Sequence, residues 1–164
     1  MMMDHTHIRL AARALDKETA LQVVDKSLWG AVSMCTPDGI PYNVALNLVR
    51  DGEKLYFHAA KEGLKLEFLR QNPKVCVLFV PKAVAVPEEY TTHYASAVVR
   101  GNALEVTDPE EKAYALRLIC HRFAPELPEE AERRIAVGAT SYTGIWKIEI
   151  ESVSGKSSPP GVID

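Results

Sequence analysis

Two lysines four residues apart, Lys61 and Lys65, bracket Gly63 and follow Ala59 and Ala60 in the stretch LYFHAAKEGLKLEFLRQNP, Leu55 to Pro73. The chemistry this composition serves is anion binding. Leu55, Tyr56 and Phe57 leave the turn Asp51-Gly52 as a strand. Leu64, Phe68 and Leu69 recur at helical spacing until Pro73 stops the run. The first turn of such a helix has backbone N–H groups without intrahelical partners and carries the positive end of the dipole. Small residues let a ligand approach that backbone, and a lysine adds a full charge, so the stretch predicts a phosphate seat. Taken alone, Lys61 and Lys65 also fit a solvated helix face. His58, at the strand end, has two readings of its own: a group that acts on a bound molecule, or a structural hydrogen-bonder.

Other residues with chemical potential are more isolated. Asn47 lies in an apolar strand and needs a polar partner if buried. His93 and His121 lack companions at ligand spacing, and Asp4, His5 and His7 read as a polar arm near the terminus. Cys35, Cys76 and Cys120 are far apart, without a CxxC, so they are expected reduced and buried, and no metal site is expected. Glu129, Glu130, Glu132, Arg133 and Arg134 read as a solvated helix. The 164 residues are 47% apolar and 25% charged with a formal charge of −3, the composition of a single globular domain without the basic face that nonspecific nucleic-acid binding needs. No apolar run suits a membrane span or a signal peptide, so a cytoplasmic protein is expected.

The elements around these residues follow from local pattern. Asp16 caps a helix over DKETALQVVDKS with Leu21, Val24 and Leu28 on one face. LWGAVSMC, IPYNVALNLV and LYFHA are strands joined by the turns Thr36-Pro37-Asp38-Gly39 and Arg50-Asp51-Gly52-Glu53, an antiparallel meander. VCVLFVP reads as a strand buried on both faces, and KAVAVPEEYTTH as a surface loop. YASAVVRGNALEV reads as a strand bent at Gly101. Asp108 and Pro109 open a helix with Ala113, Leu116, Cys120 and Phe123 inward, and PEEAERRIAVG forms a shorter one. TGIWKIEIESV alternates, with Trp146, Ile148 and Ile150 on one face. The tail GKSSPPGVID is not expected to pack. The expected fold is α+β, a six-stranded, mostly antiparallel split β-barrel with peripheral helices. It comprises an N-terminal arm (1–15), one domain (16–156) and a C-terminal tail (157–164).

DGIPYNVALN, LYFHAAKEGLK with RQNPKV, SAVVRGNALEVTDPEEK and the closing VSGK together resemble the pyridoxamine 5'-phosphate oxidase-like split-barrel flavoproteins, most nearly the nitroimidazole-resistance branch. The resemblance runs from about Asp16 to Lys156. It implies a homodimer with FMN held between the subunits. By position it places Lys65 on the FMN phosphate, and His58, Ala59 and Ala60 beside the ribityl chain and phosphate. Tyr42, Asn43, Val44 and Asn47 fall along the ring, Ser96 against the cofactor, and Trp146 within reach of the flavin from the partner chain, although its alternation with Ile148 and Ile150 fits core or dimer packing at least as well. His58 falls where the branch has a histidine implicated in activity. The oxidases proper carry an Arg-Lys pair at the phosphate. Here Leu64 precedes Lys65, and Lys61, one helical turn earlier, stands as the substitute. They also carry a C-terminal arginine motif for substrate, absent here, which argues against pyridoxamine-phosphate oxidation.

The resemblance therefore implies an FMN-dependent oxidoreductase reducing a small acceptor such as a nitroaromatic. The flavin supplies the redox chemistry and the protein supplies binding and orientation, consistent with a sequence that has no paired carboxylates or triad. The alternative is a non-catalytic flavin- or haem-binding dimeric module. A split barrel holding a deazaflavin is a third reading.

Overall fold

In the computed structural model, which describes residues 7–139 and 142–163, Asp16 caps helix α1 (Lys17–Lys26) by accepting from the Thr19 N–H at 2.8 Å. Asp108 does the same for α3 (Pro109–Phe123), accepting from the Glu111 N–H at 2.8 Å. Each cap satisfies one orphan amide, a contribution of about 1 kcal/mol. The buried stripes are turned slightly from those expected. α1 buries Ala20, Val23 and Val24 and leaves Leu28 outside the helix, while α3 buries Ala115, Leu116 and Ile119. Two overlapping i, i+3, i+4 stripes fit each sequence, and contact with the sheet selects the one seen. Helices α2 (Leu64–Gln71) and α4 (Glu129–Ala139) complete the set. Asp4 and His5 lie outside the described residues, and none of the described helices is long and apolar enough to cross a membrane.

The strands are β1 (Ala14–Leu15), β2 (Gly30–Cys35), β3 (Pro41–Leu46), β4 (Val49–Asp51), β5 (Lys54–Ala59), β6 (Lys74–Phe79), β7 (Ala83–Val86), β8 (Thr91–Glu105) and β9 (Gly144–Ser158). All pair antiparallel in one sheet of order β3-β2-β6-β8-β9-β5-β4, with β1 on β9 and β7 on β8. The end strands β3 and β4 do not pair with each other, so the curled sheet stays open. The α+β split-barrel expectation holds, with nine strands in place of six. IPYNVALNLV divides at Asn47-Leu48, KAVAVPEEYTTH forms β7 and the start of β8 instead of a loop, and β1 adds a short pairing.

Two glycines shape the β8–β9 pair. The register shifts between Arg100 and Gly101, and a Cβ on Gly101 would lie 2.0 Å from the Glu149 carbonyl oxygen. That is the bend read from the sequence. At Gly155 a Cβ would lie 2.8 Å from the Cβ of Ala20, so only glycine lets α1 settle on the strand. The tail, expected loose, is part of this structure: β9 runs through Ser157 and Ser158, both buried. Its small side chains fit beneath α1, where a bulky tail would not.

Alternation sorts the sheet into two faces. The inner face carries Val32, Met34, Leu55, Phe57, Val77, Phe79, Val99 and Ile148, closed by α1 and by Leu66, Phe68 and Leu69 of α2. The β5 end of the outer face is covered by α3, where Tyr56 and Ile145 meet Val106, Ala115 and Leu116. The outer face of β2, β3 and β6 is open: Ser33, Asn43 and Ala45 are exposed, and Leu78 is 43% exposed. Strand β6 is therefore buried on one face, not both, and Cys76 lies half-buried on the open face, outside the core. The three cysteines are free and partly buried.

A carboxylate fastens α3 to the sheet. Glu111 accepts from the Tyr56 hydroxyl at 2.9 Å and from the Lys147 ammonium at 3.0 and 3.1 Å. Burial pushes its pKa up, but the bonds from Lys147 and Tyr56 win and hold it below the ordinary value of 4.5. A depressed carboxyl pKa adds stability above the unfolded-state value, and that stability is lost as pH falls through the folded value. We predict that Glu111→Gln lowers unfolding free energy by about 1–3 kcal/mol at neutral pH. Denaturant melts of both proteins should converge as pH is lowered below about 4. A pH-independent difference would show that the charge is not what holds α3.

Candidate functional site

The chain leaves β5 at Ala59, bends through residues 60–63 and enters α2. His58 is exposed between buried Phe57 and Ala59. Gly63 is the N-cap residue, with φ 134° and no side-chain cap. Most residues cannot adopt that φ, and a Cβ built on Gly63 meets nothing within 4 Å, so the bend opens onto free space. The amides of Leu66 and Glu67 donate back to the Gly63 carbonyl at 2.9 and 3.2 Å. Those of Leu64 and Lys65 have no partner among the described residues. Lys65 itself is half-buried beside them. The bend thus combines two unpaired amides, a helix N-terminus and an uncrowded glycine, with Lys65 in the first turn. Close approach also governs its underside, since a Cβ on Gly144 would lie 3.2 Å from the Ala60 carbonyl oxygen.

Lys61 departs from expectation. It lies on the bend before α2 and shares no helical face with Lys65, because Gly63 starts the helix two residues later than the pattern suggested. Its carbonyl accepts from the Arg70 guanidinium at 3.4 Å. Arg70 also reaches Glu105 at 3.3 Å and lies 5.8 Å from the Trp146 ring centroid. It therefore ties the bend to the ends of β8 and β9. Sequence reading passed over Arg70 because a basic residue in a last helical turn looks like a dipole partner.

Strand β3 lies next to this feature. The Tyr42 ring packs on Phe68 of α2, with centroids 5.2 Å apart, which joins the start of β3 to the helix. Val44 packs inward behind it. Asn43 faces out and donates to the Ser33 hydroxyl at 2.6 Å. Because β3 ends the sheet, one row of its backbone groups has no strand partner among the described residues. Asn47 lies at the far end of β3, five residues beyond Tyr42, about 16 Å away at 3.3 Å per residue. It is exposed, and its amide donates to the Leu28 carbonyl at 2.8 Å, so a neighbouring loop already meets the hydrogen-bonding need inferred from its apolar surroundings.

Ser96 and Trp146 stand apart. Ser96 is 6% exposed on β8, opposite Lys156, with β2 and β6 between it and β3. Three strand steps of 4.8 Å put it about 14 Å across the sheet. Trp146, expected to reach across to a partner's ligand, is 2% exposed and packs in its own chain's core. It stacks on Phe57 with ring centroids 6.5 Å apart. The structure therefore gathers Tyr42, Asn43, His58, Ala59, Ala60, Lys61 and Lys65 at one end of the strands. It places Asn47 and Ser96 toward the other end and removes Trp146 from the surface. Away from the site, His93 is engaged with Glu89 at 2.9 Å, and His121 lines a cleft between α3 and α4.

Comparison with known proteins agrees with the fold. The family model described as pyridoxamine 5'-phosphate oxidase matches residues 16–157. No curated protein matches the chain. Among solved structures, a candidate 5-nitroimidazole antibiotic resistance protein from Bacteroides thetaiotaomicron is 26% identical, with a TM-score of 0.75 over 87% of this chain and 85% of that one. The flavocytochrome Anf3 from Azotobacter vinelandii is 20% identical, with a TM-score of 0.71 over 94% and 74% of the two chains. An FAD-binding protein from Mesorhizobium loti is 24% identical, with a TM-score of 0.60 over 87% and 95%. At these identities the last two establish the shared fold.

If Arg70 holds the bend, Arg70→Gln frees it without unfolding the core. We predict that amide exchange of Leu66 and Glu67, which donate to the Gly63 carbonyl, rises about tenfold while the denaturation midpoint moves by less than that of Glu111→Gln. Unchanged exchange at those amides would show that the bend holds its own shape.

Proposed function

The chain belongs to the pyridoxamine 5'-phosphate oxidase family, and from that premise we propose that it is a homodimeric FMN-binding oxidoreductase passing electrons to a small acceptor such as a nitroaromatic. The observation that carries this reading is the seat after β5: unpaired Leu64 and Lys65 amides, the Lys65 ammonium and open space over Gly63, with exposed His58 alongside. That donor set fits a phosphate dianion better than any neutral group. The flavin-binding neighbours and the nitroimidazole-resistance relative support the cofactor and acceptor classes.

Bound FMN supplies the redox chemistry, taking up and releasing electrons through its ring system. The chain's own residues bind and orient. Lys65 and the first amides of α2 hold the phosphate, with Lys61 adding charge from the bend. Ala59 and Ala60 keep the adjoining backbone clear for the ribityl chain. The free edge of β3, from Tyr42 through Asn43 and Val44 to Asn47, offers backbone groups to the ring's polar edge. His58, the one exposed ionisable ring beside the seat, holds or moves a proton at an imidazole nitrogen next to bound substrate.

A second copy completes the arrangement. Ser96 is too far along the sheet to join His58 and Lys65 on one cofactor within a chain: its partner on β9, Lys156, lies eleven residues beyond Ile145, the partner of His58, about 36 Å at 3.3 Å per residue. The open, weakly polar face of β2, β3 and β6 offers a surface where a two-fold partner supplies its own Ser96. Trp146 has no contact role here and serves as the floor under Arg70. The cofactor unit proposed is residues 16–156, with Ser157 and Ser158 extending its last strand, acting in the cytoplasm.

Two substitutions test the assignment. Lys65→Ala should weaken FMN binding about tenfold or more, the loss of one charge-assisted contact, with the oligomeric state unchanged. His58→Ala should keep FMN but lose reduced-nicotinamide oxidation driven by a nitroaromatic. Fluorescence-quenching titration and steady-state rates measure the two. Wild-type FMN affinity in Lys65→Ala would remove the phosphate from this seat.

A further inference from the structure

We propose that Arg9, Arg13 and Lys156 form a second anion site, built for the pyrophosphate of a nucleotide, at the opposite end of the sheet from the Lys65 seat. The three cations line one cavity of about 200 Å³ together with Ile8, Leu10 and Tyr94. Its lining has no carboxylate. Elsewhere the described cations commonly find acids: Lys17 with Glu53, Arg50 with Asp25, Lys147 with Glu111. With 22 acidic residues against 19 basic, acids are not scarce in this chain. Yet the charged groups of Arg9, Arg13 and Lys156 have no ion pair or hydrogen bond among the described residues. Like charges gathered without a counter-charge repel one another, and an entering anion relieves that repulsion.

The fold brings these side chains together from separate elements. The pairing of Ala14 with Lys156 sets Arg13 beside the end of β9. The short turn Ala11–Arg13, closed by the Arg13 N–H donating to the Leu10 carbonyl at 2.9 Å, turns Arg9 back toward them. Lys156 sits over the Tyr94 ring, its ammonium 5.6 Å from the centroid, which holds it in place without neutralising it. Two guanidinium groups offer planar, bidentate donors suited to phosphate oxygens. A cavity of about 200 Å³ holds the volume of roughly six waters, room for two linked phosphates. This also gives a role to the lysine of the VSGK motif, which the seat at Lys65 leaves unused.

The choice of nucleotide rests on the proposed flavin function. Lys156 lies directly opposite Ser96, so a ligand reaching Ser96 brings its charged part to this cluster. The diphosphate of the nicotinamide donor, NADPH, has the required chemistry, whereas one of the two linked phosphates of FAD is the FMN phosphate already assigned to Lys65.

Calorimetric titration of the full-length protein with inorganic pyrophosphate tests the site itself. One site per chain is expected, weakened about tenfold by Arg13→Gln and again by Lys156→Gln, weakened by added salt, and unaffected by Lys65→Ala. No binding, or equal binding in both Gln variants with their circular dichroism intact, overturns the proposal. Titrations with FMN and NADPH then test the nucleotide. Variants that keep FMN but lose NADPH assign the site to the donor's diphosphate. Unchanged NADPH affinity in both variants overturns the nucleotide assignment. If FMN binds nowhere, the flavin reading falls while the pyrophosphate titration still decides this one.

Discussion

The ladder between β8 and β9 constrains the rest of the molecule. β6 and β7 pair with one of these strands, β1 and β5 with the other, and α1 packs where both are lined with small residues. Two strands of fifteen residues cannot stay flat and enclose a core, and the shift at Gly101 is where the pair bends. That bend curls the sheet enough to bury Phe57, Trp146 and Ile148 while leaving its two ends unpaired. The start of β9 lies beside His58 and Ala59, and its end carries Lys156 opposite Ser96. Strand length alone thus separates the two regions that carry the functional proposals.

Much of this was legible because local chemistry and global structure agree. Asp16 and Asp108 cap the helices they were expected to cap, and the turn Thr36 to Gly39 joins β2 to β3. Gly101 marks the irregularity its lack of a side chain suggested. Two misreadings share a cause. KAVAVPEEYTTH and GKSSPPGVID look like loop by composition, but their neighbours in the sheet recruit them, and a β-ladder is a long-range contact with little local signature. The stripe on α3 was ambiguous by one position until the sheet chose. Trp146 was brought to the flavin by the resemblance alone, while its alternation with Ile148 and Ile150 fits the core packing seen.

The candidate site was legible in kind more than in geometry. An alanine pair, a glycine and a lysine at a strand-to-helix junction point to an anion because only backbone amides and an ammonium are left to bind there. Where the helix begins was not legible, and that decided the fate of Lys61: with Gly63 at φ 134°, the first lysine belongs to a bend tied down by Arg70. Nor does a single strand pattern tell that Ser96 lies at the opposite end of the sheet from His58, eleven residues along β9. That distance turns a list of cofactor contacts into an argument for a second copy of the chain.

The visible absorption spectrum of the purified protein, recorded before and after incubation with FMN and desalting, tests the central claim most directly. The account predicts the bands of bound oxidised flavin, retained through desalting. A Soret-type band would point to haem in its place. A featureless spectrum that FMN does not change would contradict the cofactor assignment and leave the split-barrel fold without the function proposed for it.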